Sequence, residues 1–309
     1  MTAPPSSAPQ PALDPPRAST PGAGSAGSAR RPRDRGWLLT TPALVLVAAA
    51  FCGPALLIVS RSFTDPQVGL QNFEWLLTDA TALQVLARTL VVAGLATLIC
   101  LVLGYPYAYL MTIAGNAGRS VLLLVVLLPF WTSLMVRTFA WVIILQQHGV
   151  LNTVLRSVGL PGVELLRTTP GVLIGMCQIL MPFMVLPLYA GMRGIDRRLL
   201  DAGNILGAPP WKVFASVYLP LSLPGVFAGS LMVFVLSLGF YITPAVLGSP
   251  RQELLPNALA SQINDLLAWG RGGALAVALL VCAGAMLAVA AWVSKRVTGS
   301  ASVTSELAP

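Results

Sequence analysis

Six stretches of the chain contain no Asp, Glu, Lys or Arg: residues 37–60, 89–118, 120–136, 168–192, 213–250 and 272–294. A bilayer's hydrocarbon core is about 30 Å thick, so a helix rising about 1.5 Å per residue crosses it in about 20 mainly apolar residues. Each stretch, with its immediate extension, reaches that length. Within lipid a helix pairs every backbone N–H and C=O inside one segment. The pattern therefore predicts an all-α integral membrane protein with six transmembrane helices, near 37–60, 86–111, 120–145, 170–192, 224–247 and 272–294. The competing reading, a set of buried core helices, requires matching polar faces, and none of these segments has one. Overall, 10% of residues are charged, against about 25% in a soluble domain.

The formal charge of +8 raises the possibility of a nucleic-acid partner, but its distribution argues for membrane orientation and no nucleic acid. With the N-terminus inside, the inner segments collect Arg17, Arg30, Arg31, Arg33, Arg35, Arg119, Arg193, Arg197, Arg198, Lys212, Lys295 and Arg296. The outer loops hold Arg61, Arg156, Arg167, Arg251 and Arg271, so the count is twelve against five. Positive residues near span ends stay in the cytoplasm, which puts both termini on the inner side of a plasma membrane. Cys52, Cys100, Cys177 and Cys282 lie inside spans without any metal-ligand spacing and read as small apolar residues.

Three regions follow from this division. Residues 1–36, rich in Pro, Ala, Ser and Gly and ending in a basic run, cannot bury enough apolar surface to offset ordering entropy and are expected to be a disordered cytoplasmic tail. Its cations suit membrane lipid headgroups. Residues 37–295 form the membrane domain, with an inward loop at 193–222, and 296–309 form a short cytoplasmic tail. Pro182 and Pro187 share one span, which suggests a helix bent around a cavity.

The inward loop between spans four and five is the informative segment. Leu199, Leu200, Gly203 and Leu206 fall at helical spacing and give a short helix with one apolar face. Gly207 supplies a C-terminal cap in the φ > 0 region, and Pro209-Pro210 stop the helix. A second short helix is expected from about Trp211 to Tyr218, making a compact knob for a soluble partner.

This loop resembles the signature of binding-protein-dependent ABC importer permeases: E-A-A, three residues, Gly, nine residues, Ile, one residue, Leu-Pro. Asp201, Ala202 and Gly203 stand for E-A-A, Gly207 is the motif glycine, Val217 takes the Ile position, and Leu219-Pro220 close it. The spacing matches at every step, with Asp for Glu, Gly for the second Ala and Val for Ile. The resemblance covers roughly 37–295. Within it, Leu128–Trp141, Leu180–Tyr189 and Gly239–Gly248 look like spans of spermidine/putrescine-type permeases, whereas Trp269-Gly270-Arg271 departs from that family's Trp-Pro run. It implies a type I importer fold with a cytoplasmic coupling helix, in a bacterial inner membrane. The implied partners are two cytoplasmic ATPase subunits, a second and homologous permease, and an extracytoplasmic substrate-binding protein. The chain itself is then non-catalytic and holds no cofactor, with ATP and Mg bound by the ATPase subunits. Polyamine is the implied cargo, with ferric iron, phosphonate or another small solute as alternatives.

The residues agree with that division of labour. Lys212 and Lys295 are the only lysines and follow Trp211 and Ser294, whereas a phosphate-binding P-loop needs Gly before its Lys. Ion-driven secondary transport ordinarily uses intramembrane carboxylates, and no expected span interior contains one. For the substrate path the candidates are Trp131, Arg137 and Tyr241. The rings of Trp131, Trp141 and Tyr241 offer π faces to a cation, or anchor at the membrane interface. Arg137, a charge inside a span, either contacts the cargo or pairs with freed carbonyls and the partner permease.

Overall fold

The computed structural model describes residues 36–302, excepting the side chains of 36–40, Asn204 and 293–302. The tail assigned to 1–36 thus lies, up to residue 35, outside the described residues, as does 303–309. The chain divides into two compact units, residues 1–51 and 52–309. In the first, the described residues belong to helix α1 (Gly36–Thr64), and side chains 41–50 are all exposed. The second unit contains the remainder.

After α1 come α2 (Gln71–Thr78), α3 (Ala80–Ile113) and α4 (Asn116–Leu127). A 3-10 turn, Leu128–Trp131, leads to α5 (Leu134–Leu145) and α6 (Val150–Ser157). Then follow α7 (Thr169–Arg193), α8 (Arg197–Ile205) and α9 (Pro210–Val213). A π-helical turn, Phe214–Tyr218, joins α9 to α10 (Leu219–Leu238). The chain ends with α11 (Ile242–Leu247), α12 (Leu255–Asn264) and α13 (Trp269–Ser302). No strand occurs among the described residues. Six helical segments are long and apolar enough to cross a membrane.

Two spans differ from the expected continuous helices. The third, expected at 120–145, is broken: Pro129 sits in the 3-10 turn, and Thr132 and Ser133 are extended before α5 begins. The fifth begins earlier than 224 and stops at Leu238, where Gly239 to Tyr241 interrupt it before α11. α13 likewise runs beyond 295, to Ser302. The expected bend at Pro182 and Pro187 leaves α7 a continuous helix.

The core of the second unit is the packing of α3, α7 and α10. Ala93, Ala96, Cys100 and Ala108 of α3 are fully buried, as are Met176, Met184 and Leu188 of α7. Small residues let the backbones approach, the usual means of helix association where lipid tails remove the hydrophobic drive. On α10 this is Gly225-x-x-x-Gly229. A Cβ at Gly225 would sit 3.0 Å from the carbonyl oxygen of Pro187, and one at Gly229 would sit 2.9 Å from Met184 Sδ and 3.0 Å from its carbonyl oxygen. Two of the four cysteines serve this packing: Cys100 Sγ lies 3.7 Å from the Cys177 carbonyl and Cys177 Sγ 3.8 Å from that of Ala96. A second apolar cluster, including Leu76, Val85, Leu255 and Leu275, joins α2, α3, α12 and α13.

Buried amides pin the loops at one end of the bundle. Asn72 donates to the carbonyls of Ser62 (2.9 Å) and Asp65 (2.8 Å). Asn152 bridges Gln146 and Val163 in the same way, and accepts from the Val163 N–H at 2.7 Å. Away from these contacts the surface is inverted relative to a soluble protein, with residues such as Val102 and Leu124 exposed.

Candidate functional site: the knob and the broken spans

The knob is built from α8, a tight turn and the start of the fifth span. Gly207 adopts φ +77°, in the left-handed region expected of it. The turn closes with the Leu206 N–H donating to the Ala202 carbonyl (3.1 Å) and the Ala208 N–H to that of Gly203 (3.2 Å). Pro209 and Pro210 then redirect the chain into α9. Gly203 faces this second limb: a Cβ there would lie 3.0 Å from Val213 Cγ2, and Val213 is buried. Glycine at the third E-A-A position thus allows the two limbs to close.

The second short helix expected from Trp211 to Tyr218 is not separate. It continues through the π turn into α10, so Pro210–Leu238 forms one nearly unbroken rod. Val217 is half-buried in that turn, and Leu219 and Pro220 are exposed at the start of α10. π turns are rare and gather at functional sites. Here the turn carries Phe214 and Tyr218, stacked at 5.5 Å between ring centroids. Tyr218 meets Tyr109 of α3 edge-on at 5.3 Å, and Phe214 meets Tyr105 at 6.1 Å. The Tyr105 hydroxyl lies 3.0 Å from Ser222 Oγ. These contacts fasten the knob to α3.

The apolar face expected on α8 divides. Leu200 packs against the core, while Leu199 is half-exposed, and Ile205 and Leu206 are 85% and 86% exposed. Trp211 is 72% exposed. The knob therefore presents an exposed apolar tip. Asp201 and Ala202 are exposed, and Asp201 borders a cavity beneath α8.

The three expected path residues lie in different segments. Trp131 is 73% exposed at the end of the 3-10 turn. Arg137 lies in the first turn of α5, just past the break in the third span, and its Nε is buried without a hydrogen-bond partner. Tyr241 occupies the break in the fifth span and borders a cavity of about 460 Å³ with Glu253, Asn257, Asn264 and Asp265. Burial pushes the Glu253 carboxyl above the usual range, against the pull of the Arg88 guanidinium, and the nearby Asp265 also raises it. Asn257 donates to the Tyr241 carbonyl at 3.3 Å, which leaves its own buried Oδ1 unpaired. Trp141 Nε1 donates to Gln178 Oε1 at 3.1 Å. Both border an apolar cleft of about 760 Å³ between α3, the broken third span and α7. Gln178, Glu253 and Asn257 were not singled out from sequence. Gln178 had a signal, as the only amide side chain in its span, whereas the other two are united with Tyr241 only by folding.

Residues 38–299 match the family described as "Binding-protein-dependent transport system inner membrane component". The chain is 34% identical over 238 residues to the spermidine/putrescine transport system permease protein PotB of Haemophilus influenzae, covering 74% of this chain and 83% of that protein. It is 33% identical over 259 residues to PotB of Escherichia coli K12, covering 82% and 92%. Its fold is similar to a chain in the crystal structure of a bacterial alginate ABC transporter in complex with an alginate pentasaccharide-bound periplasmic protein. That likeness has a TM-score of 0.70 at 20% identity and covers 85% of this chain and 96% of the other.

Proposed function

The chain belongs to the binding-protein-dependent transport system inner membrane components, permease subunits of ATP-driven importers, and from that membership we propose that its cargo is a polyamine. The observation that carries this reading is the 33% identity to a spermidine/putrescine permease across 82% of the chain. The cavity at Tyr241 agrees with it. An aromatic face, two carboxylates and an unpaired amide oxygen suit a flexible organic cation. Arg137 is the residue an anionic cargo would favour. In the polyamine reading its buried N–H finds an acceptor on the second, homologous permease.

The same proposal gives the knob its role. Both termini and residues 193–222 face the cytoplasm, and α8 docks on one of two ATPase subunits, which bind the ATP and Mg. This chain contributes no catalytic group. Ile205, Leu206 and Trp211 form the docking tip. Gly203 sets the packing of α8 on α9, Gly207 sets its angle, and the exposed Asp201 and Ala202 join the docking surface. A rod of 29 residues is about 43 Å long at about 1.5 Å per residue, so it carries displacement of α8 to the break beside Tyr241. Phe214 and Tyr218 pass part of that motion to α3. An extracytoplasmic binding protein delivers cargo at the Tyr241 end.

The test is uptake of labelled putrescine and spermidine, with ferric and phosphonate compounds in parallel, in cells with and without this gene. Loss of polyamine uptake alone is the expected result. Unchanged polyamine uptake beside lost uptake of an anion would overturn the cargo and leave the importer reading in place.

A further inference from the structure

The cavity beneath α8 measures about 530 Å³ and lies where α3 and α7 end and α4 begins. Its walls carry three arginines, Arg119, Arg193 and Arg197, against one carboxylate, Asp201. Arg197 donates to the carbonyl of Thr112, so it satisfies the end of α3. Arg119 is different. Its Nε is buried and has no hydrogen-bond partner, and the hydroxyl of Tyr189, another wall residue, is also buried and unpaired.

Helix ends cannot absorb this charge. The carbonyl ends of α3 and α7 each present about half a negative charge. Together they offset about one positive charge, the amide end of α4 adds back about half of one, and Asp201 offsets another. About one to two positive charges remain, beside an orphaned guanidinium N–H and an orphaned hydroxyl.

We propose that this cavity binds a phosphate-bearing anion, the headgroup of an acidic phospholipid of the inner leaflet. The proposal rests on the reading that this end of the bundle is cytoplasmic. Basic pockets between transmembrane helices on that side suit anionic headgroups, and a phosphodiester answers part of the positive charge the walls leave over. Arg119 and Arg193 hold the phosphate oxygens, and Tyr189 donates to a third acceptor. Because Arg197 and Asp201 belong to α8, an occupied cavity also braces the coupling helix against the bundle. The lipid is thereby a structural part of the coupling machinery.

The test uses the assembled permease pair with its ATPase subunits, in nanodiscs of phosphatidylcholine mixed with phosphatidylglycerol. Native mass spectrometry counts phosphatidylglycerol retained on release. Wild-type complex is expected to retain it, and Arg119→Gln with Arg193→Gln to bind it about 30-fold more weakly, as two cations near an anionic surface are lost. Arg119→Lys with Arg193→Lys keeps the charge and is expected to retain most of the lipid, which separates binding from misfolding. A parallel arm offers inorganic phosphate to complex in phosphatidylcholine alone. Arginine-dependent phosphate binding there, without phosphatidylglycerol retention, would support the phosphate chemistry and assign it to the free ion. Equal retention by wild type and the glutamine variant would overturn the proposal. So would lipid retention by the permease pair that ATPase binding abolishes, since an ATPase side chain would then fill the cavity. None of these readouts depends on the cargo, so a failure here is distinguishable from failure of the polyamine reading.

Discussion

Replacing Gly207 tests whether the knob's angle is set by one backbone conformation. At φ +77° nothing lies within 4 Å of a Cβ built on this residue, so a substitution meets no steric obstacle. What remains is the intrinsic cost of the left-handed region, about 1–2 kcal/mol for an ordinary L-residue. Asparagine tolerates the region best among non-glycine residues, and β-branched residues tolerate it least. The predicted order is therefore Gly, Asn, Ala, Val, in which the smaller alanine is worse than asparagine. About 1 kcal/mol for Gly207→Ala lowers the docking-competent population about 5-fold, and about 2 kcal/mol or more for Gly207→Val lowers it about 30-fold. Apparent affinity for the ATPase falls by the same fraction. The assay is titration of ATPase subunits onto the solubilised permease pair, with membrane abundance as the control for insertion. Alanine binding better than asparagine, or Gly207→Val binding like wild type, would refute the reasoning.

The remaining predictions concern orientation and the cavity at Tyr241. Single cysteines at the exposed Ser157 and Ser216, in a background lacking the native four, should react with an impermeant thiol reagent in whole cells at 157 and not at 216. The reverse pattern would invert the topology. Burial raises the Glu253 carboxyl, so in the folded protein its protonated form is favoured and its stabilising effect is lost as pH rises through that raised value. Cation binding at the cavity needs the ionised form. Polyamine-stimulated transport should accordingly decline as pH falls through a range above that of an ordinary carboxylate. Glu253→Gln should flatten that decline and lower transport at neutral pH, whereas an unchanged pH profile would remove Glu253 from the path.

The membrane character and the turn between the fourth and fifth spans were legible because each rests on local chemistry. A charge-free run of 20-odd residues has few other uses, and Gly207 followed by two prolines leaves a helix little choice. The breaks were harder to read. Thr132-Ser133 and Gly239-Phe240-Tyr241 lie within charge-free stretches, and hydropathy does not register where a helix stops inside one. The π turn at Phe214–Tyr218 was likewise hidden, because what holds it is the rings of Tyr105 and Tyr109, more than a hundred residues away. Gly225 and Gly229 did carry a readable signal, a four-residue spacing of small residues, whose partner on α7 only the fold supplies. Trp131, Arg137 and Tyr241 were grouped by residue type, and they lie at the breaks in two spans: the end of the 3-10 turn, the first turn of α5 and the segment before α11.

ATP-dependent accumulation of labelled spermidine in proteoliposomes tests the central claim most directly. The vesicles would contain this chain, its partner permease and the ATPase subunits, with ATP inside and the binding protein outside. The account predicts accumulation that requires ATP, the binding protein and this chain together, and that falls with Gly207→Val while the protein remains in the membrane. Spermidine entry that persists without ATP, or that is the same with and without this chain, would contradict it.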